Sequence, residues 1–156
     1  RDLHLLSRRP ASDVYKRQVL LEAAGGVPAG DVKVLNGGPM MGRAMSNLAS
    51  PVVKGCSGIT VLGGAAALRG RESSCIKCAK CVSACPMGLE PYLMAKLSRR
   101  KLWERLEAEW VTNCIECGCC QFTCPADIPL LDFIRMGKQE VGALIRARAA
   151  AHATKK

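Results

Sequence analysis

The apolar positions fall into short runs in the first half of the chain and into helical spacing in the second. Val19 to Ala24 (VLLEAA) reads as the end of a helix, stopped by Gly25-Gly26. Asp31 to Leu35 (DVKVL) alternates and is rich in β-formers, so it predicts a strand. Asn36-Gly37-Gly38-Pro39 predicts a turn, and Ile59 to Leu62 (ITVL) a second strand. Gly63 to Ser74 mixes glycine and alanine with charges and reads as a linker, with a boundary near Arg69.

Beyond that boundary the chain repeats itself. CIKCAKCVSACPMG at Cys75 to Gly88 matches CIECGCCQFTCPAD at Cys114 to Asp127, and each copy leads into a proline. Pro91 opens a helix with Leu89, Leu93 and Leu97 at four-residue spacing; proline suits the first helical turn because its missing N–H is not needed there. Ser98 to Lys101 predicts a turn, and Leu102, Leu106 and Trp110 a second short helix whose apolar residues pack into a core. Pro129 opens a third helix through Leu130, Ile134 and Val141, ending in an Ala- and Arg-rich tail.

The first eighteen residues show no apolar period. Asp13 to Gln18 (DVYKRQ) back-translates to GAT GTG TAT AAG AGA CAG, the transposase end sequence ligated to DNA in library preparation. Residues 1–18 are therefore expected to be translated adapter, or else a disordered terminus, and carry no function. The gene would then be truncated at its start, with Val19 in mid-domain. The remaining divisions are 19–68, 69–127 and a C-terminal helix with a basic tail over 128–156.

The composition adds ten cysteines, a net charge of +10 and an aromatic content of only 4%, so the core must be aliphatic. No signal peptide is visible, and the longest mostly apolar stretch, Gly58 to Leu68, is far short of the roughly 20 residues that span a bilayer. The protein is expected to be soluble or peripheral to a membrane. The positive charge suits an anionic membrane surface or an acidic partner; without a nucleic-acid motif or interleaved aromatics, nucleic acid ranks last.

Eight of the cysteines form two runs, Cys75-x2-Cys78-x2-Cys81-x3-Cys85-Pro86 and Cys114-x2-Cys117-x2-Cys120-x3-Cys124-Pro125. Three thiolates at this spacing wrap one compact iron–sulfur cluster in a tight loop, with backbone N–H groups turned to its sulfurs. In two-cluster ferredoxins the fourth cysteine ligates the other cluster. The expected ligands of a first [4Fe–4S] cluster are therefore Cys75, Cys78, Cys81 and Cys124. Those of a second are Cys114, Cys117, Cys120 and Cys85. Zinc is the competing reading, but zinc sites usually pair two CxxC units across a longer loop. Disulfides are disfavoured by the clustering and by the expected reducing compartment.

Cys56 and Cys119 fall outside this register and read as small buried hydrophobes; His4 and His152 are remote from both motifs. Lys77 and Lys80 lie in the first loop and Glu116 in the second, which would give the first cluster the higher potential unless these are solvated surface charges. No nucleophile–base set or phosphate loop is present. Gly37 to Gly42 is neither a dinucleotide nor a Walker loop, and reads as a close-packed turn.

LNGGPMMG at Leu35 to Gly42, PVVKGCSGI at Pro51 to Ile59, CIKCAKCVSACPMGLEP at Cys75 to Pro91 and CIECGCCQFTCPADIPLLDFIRMGK at Cys114 to Lys138 together resemble the C-subunit family of the Rnf ion-translocating electron-transport complexes. Cys56 stands where threonine would be expected. The resemblance implies a mainly α fold: an α-helical ferredoxin-like dicluster domain preceded by a partial β-grasp (SLBB-like) segment. It also implies electron transfer within a complex that couples ferredoxin and NAD to ion transport. The implied position is peripheral, on the cytoplasmic face of the bacterial inner membrane, among the other complex subunits and a redox partner such as ferredoxin. FMN and NADH would belong to an upstream domain missing from this chain, and no catalytic residue is carried over. The alternatives are a cobalamin reductase of the propanediol-utilisation type, which shares the module and the GGPMMG region but tends to continue further, and a non-catalytic iron–sulfur binding module.

Overall fold

Alternation in DVKVL does produce a strand in the computed structural model, which describes residues 15–153. Strand β1 (Val32–Asn36) is the centre of a three-stranded antiparallel sheet in the order β2-β1-β3, with β2 at Arg43–Ala44 and β3 at Ile59–Gly63. Val34 pairs with Val61, and Leu35 with Thr60 on one side and Ala44 on the other. Helix α1 (Arg17–Ala23) precedes the sheet, and a 3-10 turn over Gly64–Ala66 follows it. Leu21, Val34, Leu35 and Ala67 are the buried apolar residues of this part.

The GGPMMG turn is close-packed. Gly37 holds φ at 109°, which glycine adopts without a Cβ penalty. A Cβ on Gly42 would run into the Gly38 carbonyl oxygen and the Leu35 side chain. Its amide donates to that carbonyl at 2.7 Å. Lys16, Arg17 and Gln18, expected to be without structure, are here in a bridge and a helix. Lys16 bridges Pro51, and the Arg17 guanidinium donates to Ser50 Oγ at 3.0 Å. Most of the leading segment, with His4, lies outside the described residues.

The chain divides into two units, Arg1–Arg69 and Gly70–Lys156. The second is helical: α2 (Lys80–Ser83), α3 (Pro91–Arg99), α4 (Trp103–Ala108), a 3-10 turn (Val111–Asn113), α5 (Cys119–Phe122) and α6 (Leu130–Ala153). Its core joins Met94, Leu97, Leu106, Val111, Leu130, Ile134 and Val141 with the two innermost cysteines, Cys81 and Cys120. The α3 and α6 helices make the main contact, and its closeness depends on Gly137. A Cβ there would meet the Ser98 hydroxyl and a Leu106 methyl, both fully buried.

Three local expectations change. The turn expected from Ser98 starts two residues later, because Ser98 is buried in the last turn of α3. Leu102 and Trp110, expected to pack beside Leu106, are exposed; Trp110 has left the helix at φ 58°. The six-residue α4 is too short to bury all three, and the chain must turn at both ends. The Ala- and Arg-rich tail continues as helix to Ala153, as its strong helix formers allow. No helix among the described residues is long and apolar enough to cross a membrane.

Candidate iron–sulfur centre

The sequence repeat is also a conformational repeat. In each copy the chain takes the left-handed conformation at three equivalent places: Lys77 and Glu116, Ala79 and Gly118, Gly88 and Asp127. Four of these six are not glycine, and each such residue costs about 1–2 kcal/mol. Left-handed residues alternating with right-handed ones turn successive N–H groups to one side, and left-handed residues two apart in each loop are compatible with such an anion-binding nest. At the second copy the Glu116 N–H already donates to Cys114 Sγ at 3.4 Å.

A one-turn helix follows each nest. α2 carries Cys81 and α5 carries Cys120, and both cysteines are buried. The fourth cysteine then enters a tight turn. The Gly88 amide donates to the Cys85 carbonyl at 3.2 Å and the Asp127 amide to the Cys124 carbonyl at 3.3 Å. Pro86 and Pro125 occupy the second position of these turns, where the ring fixes the required φ.

These turns send the fourth cysteine of each copy toward the other copy. Cys75, Cys78, Cys81 and Cys124 line one cavity. Cys85, Cys114, Cys117 and Cys120 line another. Among the described residues no three Cys, His, Asp or Glu side chains converge on a point, as a single ion would require. Each cavity is lined by four cysteines, a donor set that fits an iron–sulfur cluster.

Burial pushes the Cys120 thiol up to about 12, with further upward pressure from the nearby Cys114, Cys117 and Cys85 thiols. Burial also raises Cys114 and Cys81; their crossed neighbours Cys85 and Cys124 add to this, while backbone amides from Glu116, and from Tyr92 and Val82, oppose it. Iron has to displace these protons, because the ligand is the thiolate.

Glu116 is not a free negative charge beside the second set. Arg135 Nε lies 3.0 Å from its carboxylate and Lys138 Nζ 3.3 Å. Burial alone would raise this carboxyl, but Lys138 and Arg135 outweigh it and hold it below the usual carboxylate range. Lys138 also donates to the Cys114 carbonyl at 2.6 Å, tying the loop to α6. The periodicity of α6 gave no sign of this pair: Lys138 falls within the arc of its buried positions and Arg135 at the edge of it, and spacing does not say which carboxylate a cation meets. Lys77 and Lys80 are exposed.

Cys119 is half-buried, and burial together with a hydrogen bond to Cys117 raises its thiol, the hydrogen bond most. It lines neither cavity among those described. Cys56 is half-buried in the first unit, its thiol 3.2 Å from Asn36 Oδ1. Both are thus less buried than expected. His152 lies near the end of α6, away from both cysteine sets.

The family model for a 4Fe–4S dicluster domain matches residues 74–129. The chain carries an iron–sulfur dicluster domain. It is also 42% identical over 90 residues to the C subunit of the proton-translocating ferredoxin:NAD(+) oxidoreductase complex of Clostridium ljungdahlii, covering 58% of this chain and 20% of that protein. Against the Na(+)-translocating counterpart of Acetobacterium woodii the identity is 40% over 124 residues, 80% of this chain and 28% of the relative. Against the C subunit of the ion-translocating oxidoreductase complex of Methanosarcina acetivorans it is 38% over 122 residues, 78% and 27%. The chain is a relative of these C subunits over most of its length. It spans less than a third of each of them.

Proposed function

We propose that this chain is an electron relay with two [4Fe–4S] clusters, working within an Rnf-type complex that couples ferredoxin and NAD to ion translocation. Bound clusters would supply one-electron redox chemistry at low potential. The protein supplies the rest. Cys75, Cys78, Cys81 and Cys124 would hold the first cluster, and Cys114, Cys117, Cys120 and Cys85 the second. The two nests present amides to the cluster anions, and the crossed cysteines keep the two sites at a fixed separation.

The observation that carries this reading is the crossed lining of the two cavities, each taking three cysteines from one copy and one from the other. The names of the relatives support the setting. On this reading the sheet of the first unit is the end of a β-grasp segment. The flavin and nicotinamide sites belong to a part of the protein upstream, and the complex sits peripherally on the cytoplasmic face of the bacterial inner membrane. The names of these relatives do not favour the cobalamin-reductase alternative.

Paired substitutions test the ligand sets. Anaerobic reconstitution is expected to give about eight irons and eight sulfides per chain. With crossed ligands, Cys75→Ala with Cys124→Ala damages one cluster and leaves about four irons. Cys75→Ala with Cys85→Ala damages both. The reverse pattern would establish uncrossed sites, and two zincs without sulfide would replace the iron–sulfur reading altogether.

A further inference from the structure

The second copy of the cysteine motif follows the first by 39 residues without a gap, so each position in one has a counterpart in the other. Cys81 corresponds to Cys120, Val82 to Gln121 and Tyr92 to Leu131. Tyr92 and Leu131 stand alike, each in the first turn of the helix that follows its motif, α3 or α6. Amides in a first helical turn have no carbonyl partner within their own helix, so each needs an acceptor from outside it.

The two amides find different acceptors. The Tyr92 amide donates to the sulfur of Cys81. The Leu131 amide donates instead to Gln121 Oε1, at 3.1 Å. Gln121 is half-buried on α5, one residue after Cys120. Val82, in the same place on α2, is a half-buried hydrocarbon packed against the core, and its side chain has no atom that accepts a hydrogen bond. A side chain of the second copy therefore takes the donor that a ligand sulfur receives in the first.

We infer that Gln121 is a positioning residue that lowers the reduction potential of the second cluster, by holding the Leu131 amide away from Cys120 Sγ. The inference rests on the two-cluster reading above and on the ligand sets given there. Reduction makes a cluster more negative, and an N–H aimed at a ligand sulfur stabilises the more negative state. The first cluster receives such a bond through Cys81; the second is denied its counterpart. The two sets also differ in exposure: Cys75 and Cys78 are exposed, whereas Cys85, Cys114 and Cys117 are half-buried and Cys120 is buried. Solvent access moves a potential too, so the effect of Gln121 is read as a change within one cluster, not as the gap between two.

Redox titration of the full reconstituted chain, followed by electron paramagnetic resonance, tests it. Gln121→Val gives the second copy the residue of the first and frees the Leu131 amide. One of the two midpoints is expected to rise, with a gain of about tenfold in the reduction equilibrium, or about 59 mV for one electron, while the other stays. Cys75→Ala with Cys124→Ala, expected to retain the second cluster alone, assigns the midpoint that moves. The sign is decisive, because a less polar surrounding by itself disfavours the more negative state and would lower the midpoint. Gln121→Glu keeps an acceptor for the amide, so its midpoint is expected not to rise. Electron–nuclear double resonance after deuterium exchange reads the bond directly: Gln121→Val is expected to add one exchangeable proton coupled to the second cluster.

Val82→Gln is the reciprocal change and leaves α6 untouched. It offers the Tyr92 amide an acceptor other than Cys81, and the midpoint of the first cluster is expected to fall by a similar factor although the site has become more polar. If Gln121→Val loses iron, this variant decides, and an unmoved or raised midpoint in it overturns the inference. A midpoint that falls or stays in Gln121→Val, in chains with full iron content, would also overturn it. So would equal shifts of both midpoints, or a rise in Gln121→Glu as large as that in Gln121→Val, since packing or polarity and not the amide would then be responsible. A wild type holding no iron–sulfur cluster would overturn the reading beneath as well, whereas two clusters with unmoved midpoints overturn this inference alone.

Discussion

Cys120 is the thiol most resistant to ionisation, pushed up to about 12 by burial first and by its sulfur neighbours second. Cys119 lies next to it in sequence, yet it lines neither cavity described. The difference comes from α5: one residue along a helix is a rotation of about 100°, so the buried Cys120 lines the cavity while the half-buried Cys119 hydrogen-bonds Cys117 from outside its lining. Cys119→Ala is therefore expected to keep the full complement of about eight irons, while Cys120→Ala loses the second cluster and about half of them. Metal and sulfide analysis after anaerobic reconstitution distinguishes the two, and equal loss in both variants would show that Cys119 also serves as a ligand.

At the scale of elements, α3 against α6 is the largest helix–helix contact of the second unit. Ile134 is 1% exposed and sits amid the core that also includes Cys81 and Cys120. Truncation to alanine removes three carbons from a site with neighbours on every side and is expected to cost about 2–5 kcal/mol in urea unfolding of the reconstituted protein. Gly137→Ala is a sharper test of geometry. Helix propensity alone predicts a gain of about 1 kcal/mol. Overpacking against Ser98 and Leu106 predicts a loss of about 1–3 kcal/mol. The steric term is expected to win, because the atoms in the way are buried and belong to the facing elements. A stabilised variant would show that α6 can move away from α3 at little cost.

The helices themselves were mostly legible. Pro91 and Pro129 marked the starts of α3 and α6 to within a residue, and Leu130, Ile134 and Val141 are buried at the spacing that the pattern gave. The four-residue leucine spacing points to Leu93, which is only half-buried, whereas Met94 and Ala95 beside it are buried. The readings of DVKVL and ITVL place β1 and β3 within a residue at each end, whereas the two-residue β2 carries no pattern of its own. The exposure of Leu102 and Trp110 was not legible, since hydropathy says that a residue prefers burial and not whether a six-residue helix can provide it.

Taken as a whole, the second unit is a small helical body whose aliphatic core includes Cys81 and Cys120, with Cys114 and Cys124 packed against it. Cluster binding and folding are therefore expected to be coupled. Removing iron from the reconstituted chain with a chelator is expected to lower its thermal midpoint by more than about 10 °C, which corresponds to a loss of about 2 kcal/mol or more for a unit of this size. An unchanged midpoint, measured by circular dichroism with iron content checked in the same sample, would mean that the helices hold the unit together without the clusters.

By itself the sequence determined the chemistry: the number, type and spacing of the cysteines, the repeat, and the choice of iron and sulfur over a single ion. These are local facts, since a few residues in one tight loop can hold three ligands. The crossing of Cys85 and Cys124 was expected from the spacing, but the lining of each cavity depends on where two turns, 39 residues apart in sequence, send their chains. The pairing of Glu116 with Arg135 and Lys138, and the contrast between an exposed and a sheltered cysteine set, were decided only by the tertiary structure. Charge balance and access to solvent depend on neighbours that are distant in the chain, and no local pattern encodes them.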